Sequence, residues 1–254
     1  MRRAVVPGVL LLAFLLTGGC GRTLKEQAAS GSGNYATGKA AFDRGDYFDA
    51  IADLKAYVEQ YPGTELTDDA LFYLGQSYVR TKDYALASSQ FDRLIRDFPA
   101  TPYVADAVFW LARCDDLQSR PAMLDPTETE RALQRYAEFL GQYPDNAHAA
   151  EARDRVKGLR DRLAEKRYRN GRLYYRLKQY AAAEVYLRDV VVKYPESPWA
   201  GEATLLLADV LLREGRRGEA VDALKRLQAS LPDGVLRARV AERLQSLGES
   251  GTAR

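Results

Sequence analysis

Histidine occurs once and cysteine twice in 254 residues, and this scarcity removes most enzyme chemistry before any fold is considered. No Cys/His pairs stand at metal-ligand spacing, and no glycine-rich phosphate loop follows a strand-like run. A hydrolase or transferase needs a positioned nucleophile, base and orienting group. The chain offers no such constellation, so no catalytic residue, metal or cofactor is expected. His148 is read as a solvated residue near a helix start after Asn146, and Cys114 as a packed thiol inside a helix. Charge of one sign is also lacking: 37 basic residues face 35 acidic ones. The single long apolar run, AVVPGVLLLAFLL, is short for a membrane span. Thirteen residues rise about 20 Å as a helix, whereas crossing a bilayer takes roughly 20 residues.

That run has a different use. Met1, Arg2 and Arg3 precede it, which is the layout of a signal peptide over residues 1–19. It ends in LLTGGC, which resembles the lipobox of bacterial lipoproteins and implies that Cys20 is diacylated and becomes the new N-terminus. Each buried acyl methylene contributes about 0.8 kcal/mol, so several chains on one residue hold a protein durably at a membrane. Gly21, not Asp, follows the cysteine; by resemblance to lipoprotein sorting this implies the outer membrane, facing the periplasm. The competing reading is an ordinary secreted protein with a chance Cys20. Export excludes nucleic acid. With Cys20 consumed by lipid, Cys114 has no disulfide partner, and an apolar core must hold the fold. Residues 20–33 end in small flexible residues and read as a tether.

What the sequence has in abundance is repetition. Tyr-Pro, Phe-Pro or Leu-Pro pairs place prolines at 62, 99, 144, 195 and 232, and an alanine stands twelve residues before each: Ala50, Ala87, Ala132, Ala183 and Ala220. In a helix hairpin such an alanine lets two helices approach, and the proline ends the second helix because its ring cannot continue one. Leu71, Leu74, Gly75, Tyr78, Ala87, Phe91 and Pro99 match the tetratricopeptide pattern at its spacing. The expected fold is all-α: a tetratricopeptide-repeat superhelix of five helix pairs plus a C-terminal capping helix carrying Val235, Val240, Leu244 and Leu247. Repeats one to three occupy 34–145, repeats four and five with the cap 146–248, and a tail 249–254. Helix starts are expected at Ser197-Pro198 and Thr101-Pro102, with Thr127 and Glu130 as a capping box.

Successive prolines are 37, 45, 51 and 37 residues apart, so the middle two intervals carry insertions. The first falls in DLQSRPAMLDPTE, where Pro121 and Pro126 forbid a continuous helix and imply an ordered loop. The second falls in a proline-free stretch from His148 onward that reads as one long helix, which either projects roughly 20 Å past its neighbours or joins two halves of the stack.

Two surfaces are candidates for binding. First helices line the concave side of such stacks. Residues offset from the repeat glycine position then form a peptide groove: Tyr35, Lys39 and Phe42 in repeat one; Phe72, Gln76 and Val79 in repeat two; Phe109, Arg113 and Asp116 in repeat three. The alternative is that these aromatics are inter-repeat core. Residues 151–178 hold eleven basic and four acidic residues. Arg160, Arg162, Lys166, Arg167, Arg169 and Arg172 would then dock an acidic partner, or else form a solvated helix face.

The stretches GDYFDAIADLKAYVEQYPGT, QFDRLIRDFPATPYVADAVFWLARC, LRDRLAEKRYRNGRLYY and QYAAAEVYLRDVVVKYPESP together resemble the BamD family, the lipoprotein subunit of the outer-membrane β-barrel assembly machinery. The likeness spans about residues 34 to 230 and includes both insertions. It implies that the N-terminal repeats receive C-terminal segments of unfolded barrel proteins and that the C-terminal repeats dock on periplasmic domains of the central barrel subunit. Other tetratricopeptide lipoproteins, such as pilus-assembly pilotins or Tol-Pal-linked division coordinators, would lack these insertions in this order. A cell-wall lytic enzyme would need an added catalytic domain with an essential Glu, and the repeats use up the chain.

Overall fold

The structure, a computed structural model, describes residues 24–119 and 126–248. The leader, Cys20 and the proline-broken part of the third-repeat insertion lie outside them. Among the described residues there are eleven helices and no strand. They run α1 Leu24–Arg44, α2 Tyr47–Gln60, α3 Thr67–Arg80, α4 Tyr84–Asp97, α5 Val104–Gln118, α6 Thr127–Gln142, α7 Ala149–Arg176, α8 Tyr180–Lys193, α9 Pro198–Arg213, α10 Arg217–Ser230 and α11 Val235–Ser246. Each helix packs on the next, and the first helices of the fourth and fifth pairs, α7 and α9, also touch directly.

The expected alanines and prolines do what their chemistry dictates. Ala50, Ala87, Ala132, Ala183 and Ala220 are all fully buried, and each second helix stops two residues before its proline. Opposite them, the first helix approaches too closely for a side chain. A Cβ on Gly75 would stand 2.7 Å from Phe91 Cε1, and one on Gly38 or Gly171 would stand 2.8 Å from Leu54 or Leu187. Ala112 and Ala208 hold the same position in repeats three and five, both buried.

Four of the five hairpins turn through one left-handed residue: Gly45, Lys82, Lys178 and Gly215, with φ of 86°, 68°, 59° and 77°. Each stands five residues before the buried alanine of its repeat. The turn closes with paired backbone bonds, as where Lys82 N donates to Val79 O at 3.2 Å and Asp83 N to Tyr78 O at 2.8 Å. In repeat three the matching position, Thr127, already belongs to α6, and residues 120–125 of its insertion lie outside the described ones.

Apolar contacts form three clusters. One joins α1 to the middle of α5, one joins α5 and α6 to the start of α7, and one runs from Leu163 on α7 to Leu244 on α11. The long helix α7, 28 residues, thus lies across two cores: Ala149, Ala152 and Leu159 in one, Leu163 and Ala164 in the next. It joins the two halves of the stack, the second of the two expectations for it.

Several local expectations are corrected. The stretch read as a tether is helical from Leu24 onward. Lys, Glu, Gln and Ala favour helix there, and extending a helix already nucleated by packing is cheap even through the Ser-Gly pairs. Ser197 caps α9, accepting from Trp199 N at 3.4 Å, as expected. Thr101 accepts from Tyr103 N at 3.3 Å, but α5 itself begins two residues further on, at Val104. The capping box at Thr127 does not form: α6 starts at Thr127 with Pro126 as its cap and no side-chain cap bond. On α11, Val235 is 80 % exposed, and Leu236 packs against Gly201 instead.

A candidate peptide groove on the face of the first helices

Successive first helices are held together by a ring stack that recurs along the molecule. The residue three before the glycine position stacks on the residue four after the proline that ends the same repeat. Phe72 stacks on Tyr103 at 4.6 Å between centroids and Phe109 on His148 at 4.2 Å, while Tyr168 packs tilted against Trp199 at 5.2 Å. His148 is therefore the third repeat's copy of an inter-repeat stacking residue, which corrects its reading as a solvated side chain. Its N–H donates to Asn146 Oδ1 at 2.8 Å, and Asn146 in turn donates to Asp106 Oδ1 at 3.1 Å. Thr101 makes the matching bond one repeat earlier, to Asp68 Oδ2 at 2.7 Å.

In the N-terminal half, Tyr35, Lys39 and Phe42 of α1 come together with Tyr73 of α3 and Tyr103, which precedes α5. Lys39 Nζ sits 4.5 Å above the Tyr73 ring and 2.6 Å from Asp43 Oδ1, and Phe42 lies 5.1 Å from Tyr73. Asp69 accepts hydrogen bonds from Tyr35 and Tyr103. Burial, then the Asp69 charge, pushes the Tyr35 phenol up to about 12. The bond to Asp69, then burial, raises Tyr103 well above the ordinary phenol range. The wall that results is aromatic, half-buried, and carries one lysine and one satisfied carboxylate.

The remaining predicted groove residues are mostly interior. Phe72 and Gln76 are buried at 9 % and 6 % exposure, and Val79 is half-buried against the first core. Phe109 is fully buried among Trp110, Tyr136, Phe139 and His148. Asp116 is buried and bound by Arg113 at 2.7 Å. Repeat three thus contributes packing where a ligand wall was expected, because neighbouring first helices close over the positions that a single helix would expose. Tyr73, Trp110 and Tyr103 were missed; the offsets two before the glycine position and four after the proline would have found them.

The basic stretch of α7 is largely neutralised within the chain. Arg160 pairs with Glu196, Arg167 with Asp189 at 3.3 Å, Arg169 with Glu165, and Arg162 reaches Ser119 Oγ at 2.6 Å and Asp116 at 3.8 Å. Arg172 hydrogen-bonds Tyr168. Lys166 is half-buried. Cys114 is buried, and burial pushes its thiol up to about 11. Among the described residues no group of three His, Cys, Asp or Glu could hold a metal ion, and no helix is long and apolar enough to cross a membrane.

Five helix hairpins with one spacing, close glycine contacts and a shared face of first helices define a tetratricopeptide-repeat protein. The chain belongs to the YfiO family of outer membrane lipoproteins, whose pattern it matches over residues 27–226. It is similar to the outer membrane protein assembly factor BamD of Caulobacter vibrioides, 27% identical over 223 residues that cover 86% of this chain and 73% of the relative. The BamD of Haemophilus influenzae is 22% identical, covering 91% of this chain and 92% of that one. Among solved structures, the P58(IPK) TPR domain is 15% identical over 87% of this chain and 57% of its own, with a TM-score of 0.45. A thermophilic TPR protein of Thermus thermophilus is 17% identical over 85% of this chain and 99% of its own, with a TM-score of 0.38.

Proposed function

We propose that this chain is a non-catalytic outer-membrane protein assembly factor, anchored in the outer membrane through lipid on Cys20 and facing the periplasm. Its work is to hold other proteins: unfolded barrel-protein segments on the N-terminal repeats, and periplasmic domains of the central barrel subunit on the C-terminal ones. Family membership and the names of its relatives support the assembly role. The observation that carries the holding role is the half-buried aromatic wall of Tyr35, Phe42, Tyr73 and Tyr103, beside Lys39. Rigid aromatic surface with few charges suits extended polypeptide, which supplies its own backbone polar groups and needs apolar contact along its length. The ion pairs on Arg160, Arg162, Arg167 and Arg169 fit a structural role for those residues.

The reading predicts that depletion in the host lowers the amount of folded barrel protein in the outer membrane. Normal barrel levels after full depletion would remove it. Crosslinked recovery of pilus or division proteins in place of a barrel protein with periplasmic domains would favour the other lipoprotein classes.

A further inference from the structure

The outer face between α8 and α10 holds a cavity of about 430 Å³, floored by α9. Small-molecule sites occupy about 300–1,000 Å³, so this one is large enough to hold a ligand. The space follows from three small residues at positions that other repeats fill. Thr204, four before the glycine position, stands where repeats two and four have Leu71 and Arg167. Ala200, eight before it, stands where repeat four has Leu163. Ala223, three after the buried alanine, stands where Gln90, Arg135 and Tyr186 stand in repeats two to four.

The lining sorts by chemistry. Leu207 and Leu211 form the apolar floor, with Val191, Val192 and Leu227 beside them, and Val192 is 76 % exposed. Along α10 the lining runs from Glu219 to Ser230, eleven residue steps, which makes a groove about 16 Å long. Both signs of charge stand on its rim. Arg188 is taken up by Glu184 at 2.6 Å and Glu219 at 3.2 Å. Asp222 and Arg226 stand exposed one turn apart, at the spacing where Glu184 and Arg188 pair on α8, yet neither is ion-paired among the described residues. One carboxylate and one guanidinium are therefore left to meet a ligand beside an apolar channel.

We propose that this groove binds a single-chain amphiphile with a zwitterionic head, the chemistry of a lysophosphatidylethanolamine. Its acyl chain lies along Val191, Leu207 and Leu211, where apolar contact replaces water. Its phosphate meets Arg226 and its ammonium meets Asp222 in charge-assisted hydrogen bonds. Side chains one turn apart start from Cβ atoms about 5–6 Å from each other, which suits two opposite charges joined by a two-carbon linker. A purely anionic head would set its charge against Asp222 and Glu219, and a purely cationic one against Arg188 and Arg226. The groove lies on the second helices, apart from the aromatic wall of the first ones, so the site adds a ligand to the holding role and does not depend on it.

In calorimetric titration of the mature chain, a short-chain lysophosphatidylethanolamine kept below its micelle concentration is expected to bind saturably at one site. Thr204→Leu installs the side chain of repeat two and fills the cavity; it should raise the Kd about tenfold or more with unchanged far-UV circular dichroism. Ala223→Tyr, the residue of repeat four, fills the same space from α10 as an independent variant. Lysophosphatidylglycerol with the same chain keeps the phosphate and lacks the ammonium, so it should bind several-fold more weakly, and Asp222→Asn should abolish that preference. Equal affinity for the two heads in the parent chain would overturn the proposal, as would a Kd that neither filling variant moves. Equal binding of an alkyl maltoside marks a merely apolar surface and overturns it too. Where an amphipathic helix of a partner protein is the true occupant, no lysolipid saturates the groove and the proposal falls.

Discussion

Single residues carry the repeat. Gly75 lies so close to Phe91 that Gly75→Ala forces a buried ring to move, and overpacking of this kind costs about 1–3 kcal/mol. Denaturant unfolding should show that loss in the midpoint, and an unchanged midpoint would mean that the ring has room. Lys82 has the opposite problem, since a side chain in the left-handed region costs about 1–2 kcal/mol. Lys82→Gly should therefore raise stability by about 0.5 kcal/mol after the extra freedom of the unfolded glycine is subtracted. Alkaline pH tests the buried acids. Cys114 is pushed up to about 11, and burial first of all raises Tyr136 as well; in both, the folded state holds its proton more tightly than the unfolded one. A raised folded pKa contributes stability that is lost as pH climbs, so the unfolding midpoint should fall between about pH 9 and 11. A flat profile there would contradict the burial of these groups. The alanines, prolines and Gly75 could be read from sequence because each is dictated by contacts inside one hairpin. His148 could not, because its stacking partner Phe109 belongs to the preceding first helix.

At the scale of elements, the end of α5 shows what an insertion demands. A turn of two or three residues fixes the second helix in the other repeats, but repeat three has a longer connection. Asp115 and Asp116 instead hold α6 and α7 by charge. Asp115 meets Arg131 at 2.9 Å and Arg135 at 3.2 Å, while Asp116 meets Arg113 at 2.7 Å and Arg162 at 3.8 Å. Carboxylates at a helix C-terminus are disfavoured by its dipole, so these two depend on their arginines. Asp116→Ala leaves those arginines without their shared carboxylate and should cost about 2–3 kcal/mol, while Arg169→Ala, an exposed pair on one helix, should stay within about 0.5 kcal/mol. Equal effects of the two in thermal unfolding would refute this account. The sequence made the insertion and the long helix legible through proline spacing. It did not reveal the clamp, whose partners on α6 and α7 stand 16 to 46 residues from the aspartates, at distances no local pattern encodes.

Across the whole molecule, stability in such a stack is a sum of neighbour contacts, and α7 supplies buried residues to both of the last two cores. Gly158 lies in the first half of it, one residue before Leu159, with nothing within 4 Å of an added Cβ. Gly158→Pro meets no other element at its Cβ but breaks the helix where it enters the second half of the stack, loosening Ala149 and Ala152 from Leu159 onward, at about 3 kcal/mol. Trp110 and Trp199, followed separately through unfolding, should report one midpoint in the parent chain and two in the variant; coincident midpoints in both would mean that the halves couple by another route. The amino-acid order by itself determined the helices, their pairing and the number of repeats, because these follow from periodic small residues and prolines acting within about forty residues. Which side chains face a guest was decided only by stacking. Neighbouring first helices bury Phe109 and Gln76 and leave Tyr73 and Trp110 half open, while Glu196, Asp116, Asp189 and Glu165 bind the arginines at 160, 162, 167 and 169. A residue's exposure depends on the repeat beside it, and that neighbour takes its place only when the chain is folded.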